Sequence, residues 1–314
     1  MRKQPAERRD IAAEITNLII SKIEAGTAPW MRSWSGAGGA GGRPLRHNGE
    51  AYSGINCLYL WAVAADAGYK SPYWMTYKQA AALGAQVRRG ETGSLSVFFN
   101  AVNKTDTNAA TGEEHSRLVR FMRHYIVFNC DQIDGLPPHF TPGAEPHVVE
   151  PSTRQAAIDA FFSAIPADIR HGGNQAFFSP THDFVQVPHK AAFKTQDHHA
   201  STLGHECVHW SGHKDRLART FGKRFGDDAY AFEELVASIG QSLICAELDL
   251  PTELHDNHAS YVAHWLKVLK GDKTAIIHAA SKAEQAVRYL KQFSQNEAAY
   301  PVGMERDHAD HHAL

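Results

Sequence analysis

Apolar positions recur at helical spacing along parts of this chain and alternate along others, and that pattern divides it into elements. Ile11, Ile15, Leu18, Ile19 and Ile23 predict an amphipathic helix over residues 11–26. Its embedded charges, Glu14, Lys22 and Glu24, distinguish it from the uninterrupted core of a signal peptide. A helix over 56–67 follows, and residues 71–77 lead into another that closes near Gly84. Residues 95–100 and 118–129 read as strands, with the polar stretch 103–115 between them as a long hairpin loop. Beyond lie a helix over 154–165 and paired short strands at 176–180 and 183–188. Phe232, Leu235, Val236, Ile239 and Leu243 mark a further helix, and 257–269 and 274–293 are amphipathic. The order is that of an α+β protein.

Composition adds boundaries. Residues 137–151 hold five prolines without a period and read as a linker between domains at 1–136 and 152–296. The Gly/Ala run 36–42 reads as a flexible connector. The tail 297–314, with His308, His311 and His312, is expected to be disordered. At 43% apolar the chain can bury a real core, and no stretch reaches 18 uninterrupted apolar residues, so no membrane helix is expected. Four scattered cysteines without a CxxC pair suit a cytoplasmic protein. The net charge of −2 hides an asymmetry: residues 1–125 carry 16 Lys/Arg against 10 Asp/Glu, leaving the rest at −8. A polyanion would therefore meet the first half.

The sharpest chemical signal is His205-Glu206-Cys207-Val208-His209. Histidines four residues apart share a helix face and can reach one tetrahedral metal. Glu206 can then take the proton of a metal-activated water without itself ligating. Cys207 points off the His face and reads as a packing residue. Three carboxylates compete as third ligand. Asp215 completes a metzincin-like spacing through Gly212. Glu233 and Glu234 follow His209 by 24 and 25 residues on the next helix, an arrangement that resembles the thermolysin-type (gluzincin) site. Matching the apolar register selects Glu234 and puts Ser238 where that pattern has an acidic residue orienting the first His. Zinc suits the N/N/O set, with manganese as the alternative. Tyr261 and His258 are candidate oxyanion donors by chemistry. Zincins often bind extended peptide along a strand beside the metal helix, and the strand at 183–188 is the candidate.

Aromatic and basic residues interleave in the first half, as sequence-independent single-strand binding requires. The candidates are Trp30, Trp34, Arg46, Tyr52, Asn56, Tyr73, Trp74, Lys78, Arg88 and Arg89.

Taken together, several stretches carry a family resemblance. They are Pro44-Leu45-Arg46-His47-Asn48-Gly49, Tyr52-Ser53-Gly54-Ile55-Asn56, Ser71-Pro72-Tyr73-Trp74-Met75-Thr76-Tyr77-Lys78-Gln79, Phe128-Asn129-Cys130-Asp131-Gln132-Ile133, the metal motif through His213, and Glu233-Glu234-Leu235-Val236-Ala237. From the opening helix to about Phe293, the chain resembles the ArdC antirestriction proteins and the related N-terminal region of TraC-type conjugative primases. The resemblance implies an N-terminal mixed α/β domain that binds single-stranded DNA and a C-terminal zincin-like metallopeptidase domain. It also implies a mobile-element protein that helps entering DNA against host restriction, with a host restriction component as an expected protein substrate. That family usually has an acidic residue where Ser238 stands and no regular Asp at 215, which favours Glu234.

Two functions compete with metal-dependent peptide hydrolysis. One is a DNA-coating protein whose metal site is structural, although structural zinc sites are normally closed by four ligands. The other is a nuclease, which would want a carboxylate cluster for two metals.

Overall fold

Helix α1 (Ile11–Glu24) begins at an Asp10 cap whose carboxylate accepts from the Ala13 N–H at 3.1 Å, and it buries Ile11, Ile15, Ile19 and Ile23. Full burial of an Ile side chain stabilises by roughly 1.5–3 kcal/mol, so this stripe anchors the helix. The computed structural model describes residues 10–30, 42–107, 114–140, 150–222, 228–251 and 259–297. The Gly/Ala run as far as residue 41, Trp34, residues 141–149 of the Pro-rich linker, His258 and the tail from 298 lie outside them.

The first half builds a four-stranded mixed sheet beside α2 (Ile55–Ala67). Its strands are β1 (Leu45–Arg46), β2 (Tyr73–Met75), β4 (Ser94–Thr107) and β5 (Glu114–Asn129), in the order β1-β2-β5-β4. β1 and β2 are parallel and the other neighbours antiparallel. Helix α3 (Tyr77–Ala82) opens on a capping box, with Gln79 N–H donating to Thr76 Oγ1 and Thr76 N–H to the Gln79 side chain. A two-stranded ribbon pairs β3 (Gln86–Val87) with β6 (Ile133–Asp134). Sequence periodicity ends the β4 and β5 strands early. Their ladder continues through Thr107↔Glu114, deep into the stretch expected to be loop, because backbone pairing does not need apolar side chains.

In the second half, α4 (Pro151–Ser163) precedes a sheet of β7 (Asp168–His171), β8 (Phe177–Ser179) and β9 (Phe184–Val187), in the order β7-β9-β8. Helices α5 (Gln196–Ser211), α6 (Asp228–Glu247), α7 (Ala259–Gly271) and α8 (Ala275–Glu297) follow.

One hydrophobic core runs from Ile11 on α1 to Leu290 on α8 and includes β4, β5 and the metal-motif helix. A smaller core gathers Met75, Ala80, Val87, Ile133 and Phe140, so the start of the Pro-rich segment is packed. A buried ion cluster joins the halves. Arg43 donates to both Glu284 carboxylate oxygens at 2.9 and 2.8 Å and pairs with Glu247 at 2.8 Å. The Gly54 N–H also donates to Glu284, from a backbone with φ +55° that side chains rarely adopt.

Candidate metal centre

The Thr195 hydroxyl caps α5 by accepting from the His198 N–H, and the helix is buried along most of its length. At its end Gly212 has an ordinary φ of −82°, so glycine is not needed there for a left-handed turn. What needs it is Arg219: a Cβ on Gly212 would meet the guanidinium at 2.7 Å. Likewise a Cβ on Gly240 of α6 would meet Val208 of α5 at 2.8 Å, so the glycine lets the two helices pack closely.

That approach brings His205, His209 and Glu234 together. His205 Nε2 and His209 Nε2 are 3.2 Å apart, and the Glu234 oxygens lie 3.5 and 3.4 Å from them. Ligands about 2.0–2.1 Å from a tetrahedral metal are separated by about 3.3 Å, so the two imidazole nitrogens have the spacing of adjacent corners around one cation. Glu234 turns one carboxylate oxygen to each of them, and the three residues each offer a ligand atom within 4.8 Å of the others. Asp215, with its side chain 73% exposed beside His213, is not in the group. Glu206 is buried in the same cleft, where desolvation pushes its carboxyl pKa up against the lowering influence of His205 and His209. The backbone of Phe178 on β8 bonds its carboxylate. Cys207 is fully buried and packs in the core.

Of the groups that aim the two imidazoles, Glu233 was expected only as a competing ligand, and Gln241 and Arg219 were missed by sequence reasoning. His205 Nδ1 lies 3.3 Å from Gln241 Oε1, and the Gln241 amide donates to Ser201 Oγ at 2.6 Å. His209 Nδ1 lies 3.2 Å from Glu233 Oε1. Glu233 in turn accepts from Arg219 Nε and Nη2 at 3.0 and 2.8 Å, while Arg219 Nη1 reaches Ser211 Oγ at 2.9 Å. Gln241 sits seven residues after Glu234, two helical turns on, so it shares a face with the ligand as Ser238 does. A search of the i+7 position would have found it. Burial works against charging His209, but Glu234 and Glu233 raise its pKa to about 10. Burial also opposes ionisation of Glu234, yet the two imidazoles hold it well below the usual carboxylate range. A proton and a metal thus compete for the same Nε2.

The cleft, about 250 Å³, is lined by Ala176, Phe177, Phe178, Phe221, Tyr230 and Tyr261 besides the metal-motif residues. The Tyr230 and Tyr261 hydroxyls lie 3.4 Å apart, and burial raises both phenols above their ordinary pKa. Tyr230 was not anticipated. The strand expected to take a peptide, β9, has both edges filled by β7 and β8. The edge strand that lines the cleft is β8.

The residues expected to stack bases are rearranged more severely. Trp30, Tyr52 and Trp74 are 1%, 6% and 1% exposed, and rings buried on both faces cannot stack on a base. Asn56 commits its amide to the Val97 backbone, donating to the carbonyl at 2.8 Å and accepting from the N–H at 2.7 Å. Tyr73 is half-buried, edge-on to Phe140 with centroids 5.1 Å apart. Lys78, Arg46, Arg88 and Arg89 stay on the surface, although Arg88 pairs with Glu91 at 2.8 Å and Asp134 at 3.3 Å.

Two buried helices that set His-Glu-x-x-His against a carboxylate, with a strand along the cleft, define a zincin-like domain, and such a domain implies a divalent metal. The model of the zincin-like metallopeptidase family matches residues 156–282, and that of the N-terminal domain of anti-restriction factor ArdC matches residues 9–128. A crystal structure of antirestriction ArdC protein from R388 plasmid, in metal-free form, superposes with a TM-score of 0.77 at 43% identity, covering 92% of this chain and 99% of that one. A Mn(II)-bound structure of the same protein gives 0.75 at 40% identity, with the same coverage. Protein y4eC of Sinorhizobium fredii (strain NBRC 101917 / NGR234) is 40% identical over 292 residues, 92% of this chain and 94% of its own length. DNA primase TraC of Escherichia coli is 36% identical over 301 residues, 90% of this chain but 27% of the primase. The chain belongs to the ArdC antirestriction family. No helix among the described residues is long and apolar enough to cross a membrane.

Proposed function

We propose that this protein is a divalent-metal-dependent peptide hydrolase that also binds single-stranded DNA, acting in the cytoplasm for DNA of a mobile element entering a restricting host. One observation carries the hydrolytic half: two imidazole nitrogens 3.2 Å apart, each with a Glu234 oxygen within 3.5 Å, face a cleft that also holds a buried carboxylate, Glu206. A cation held by His205, His209 and Glu234 would polarise the scissile carbonyl and acidify a water; zinc suits the N/N/O set, and the Mn(II) form of the R388 relative makes manganese the second candidate. Glu206 takes the proton of the attacking water and returns it to the leaving amine, its burial moving its pKa toward that of an efficient base. The phenols of Tyr261 and Tyr230, protonated at neutral pH as any tyrosine is, supply hydrogen bonds to the developing oxyanion. An extended peptide pairs with the cleft-facing edge of β8, near Phe177 and Phe178.

The DNA half is supported by family membership, by the similarity to the N-terminal part of TraC, and by the excess of Lys/Arg in residues 1–125. Residues 1–136 are assigned to it and residues 152–296 to hydrolysis of a host restriction component. Incubation of the metal-loaded protein with denatured host extract, followed by mass spectrometry of new termini, tests the hydrolytic half. New termini should appear with the wild type and not with Glu206→Gln. Their absence with both proteins would reject hydrolysis.

A further inference from the structure

The β4–β5 hairpin carries the surface that the buried tryptophans do not. Of the large apolar side chains exposed among the described residues, four lie there: Phe98, Phe99, Tyr125 and Ile126, at 47, 51, 50 and 40%. Isolated exposed rings are ordinary, but rings grouped on neighbouring strands are not. Pairing of Phe98 with Arg123, and of Ser96 with Tyr125, puts Phe98, Arg123 and Tyr125 on one face of the sheet. Phe98 and Tyr125 are then diagonal neighbours, about 7–8 Å apart across the strands, with an exposed Arg123 directly opposite Phe98. The same face continues through Ser96, whose hydroxyl bonds the buried Tyr52 side chain, to Arg46, whose guanidinium lies 5.3 Å from the Tyr52 ring centre. β5 itself carries Arg117, Arg120 and Arg123 against a single carboxylate, Glu114.

We propose that this face, with Phe98 and Tyr125 as stacking rings and Arg123 and Arg46 as phosphate contacts, is where single-stranded nucleic acid lies. The inference rests on the single-strand binding proposed above and gives it a place. Exposed rings on adjacent strands of an open sheet stack successive bases, and arginines beside them follow the backbone. A protein partner would find the same rings, but the arginines beside them are complementary to a polyanion. Stacking needs a ring face and not a particular base, so binding is tolerant of sequence.

The full-length chain is titrated with a fluorescent oligo-dT and with a duplex of equal length, following anisotropy at several salt concentrations. Phe98→Ala with Tyr125→Ala is expected to weaken oligo-dT binding at least about tenfold, while Phe98→Trp with Tyr125→Trp keeps wild-type affinity. Arg123→Gln should lower the salt slope by about 0.7. All these side chains are exposed, and circular dichroism should show unchanged folding. Wild-type affinity in the double alanine variant overturns the assignment while leaving single-strand binding intact. Failure of the wild type itself to bind oligo-dT overturns both. An altered oligomeric state with unchanged DNA affinity would make the patch a self-association surface and overturn it as well.

Discussion

The indole N–H of Trp30 donates to the hydroxyl of Ser238 across 3.1 Å, linking the segment after α1 to the middle of the helix that carries Glu234. Position 238 is where thermolysin-type sites place the acid that orients the first metal histidine, and here it serves a different contact. Trp30 also packs against Trp265, with ring centroids 6.0 Å apart, and Trp265 stacks on Tyr261 at 6.3 Å. The orienting role passes to Gln241, one turn further along α6.

Ser238→Ala should therefore cost stability rather than metal affinity. Removing the acceptor leaves the buried Trp30 N–H without its partner, at a cost of about 1–3 kcal/mol. Since Trp30→Phe removes that N–H while opening a cavity of its own, the two losses should be less than additive in the double variant. Chemical denaturation of the single and double variants gives the coupling, and calorimetric metal titration should give wild-type affinity for Ser238→Ala. A fall in metal affinity comparable to that of Gln241→Ala would show that Ser238 orients His205 after all.

The metal should depend on the three converging ligands. His205→Ala combined with His209→Ala should leave no stoichiometric zinc or manganese by elemental analysis, and Glu234→Ala should weaken binding strongly, since each removes a corner of the tetrahedral set. Asp215→Ala should change nothing, its carboxylate being at the surface.

Glu233 and Arg219 form a buried pair, each side chain 4% exposed, that aims His209. Glu233→Gln should lower metal affinity about 10–100-fold, the usual cost of losing the group behind a ligating imidazole. Arg219→Met leaves a buried carboxylate without its cation and should destabilise by about 3–5 kcal/mol in thermal or denaturant unfolding. Equal metal affinity in wild type and Glu233→Gln would mean that Glu233 serves packing alone.

Replacing the base separates hydrolysis from DNA coating. Glu206→Gln should retain metal and single-strand affinity but lose peptide hydrolysis by about 100-fold or more. Transfer of unmodified DNA into a restricting host, compared at matched protein levels, then decides the route of protection. Full protection by Glu206→Gln would assign it to occupancy of the DNA.

His199 makes stability depend on pH. It is 3% exposed, its Nε2 has no hydrogen-bond partner among the described residues, and burial, with Lys190 and His171 nearby, lowers its pKa to about 4 from 6.5. Below pH 6.5 the unfolded chain takes up a proton that the folded chain refuses, so stability is full above about 6.5 and declines as pH falls toward 4, by up to about 3 kcal/mol. His199→Phe should flatten that part of the stability profile. An unchanged slope between pH 6.5 and 4 would show that other groups produce it.

What the sequence determined by itself is local. The His205–His209 pair follows from four-residue spacing on a helix, and the α1 stripe from the recurrence of isoleucine, because a helix places its side chains by a period that needs nothing from the rest of the chain. Glu234 could be chosen the same way, by register along α6. What tertiary structure decided is what meets each face. Periodicity cannot say that Trp30 crosses to Ser238, that Arg219 folds back over Gly212 to hold Glu233, or that β8 rather than β9 lies open to the cleft. Nor can it tell an aromatic in the core from one on a surface. Trp30 and Trp74 are among the most buried side chains, while Phe98 and Tyr125, unremarked in the sequence, stand exposed on the face of the β4–β5 ladder opposite the buried Leu95 and Val97. Burial is set by which elements pack together, and that comes from contacts between residues far apart in the chain.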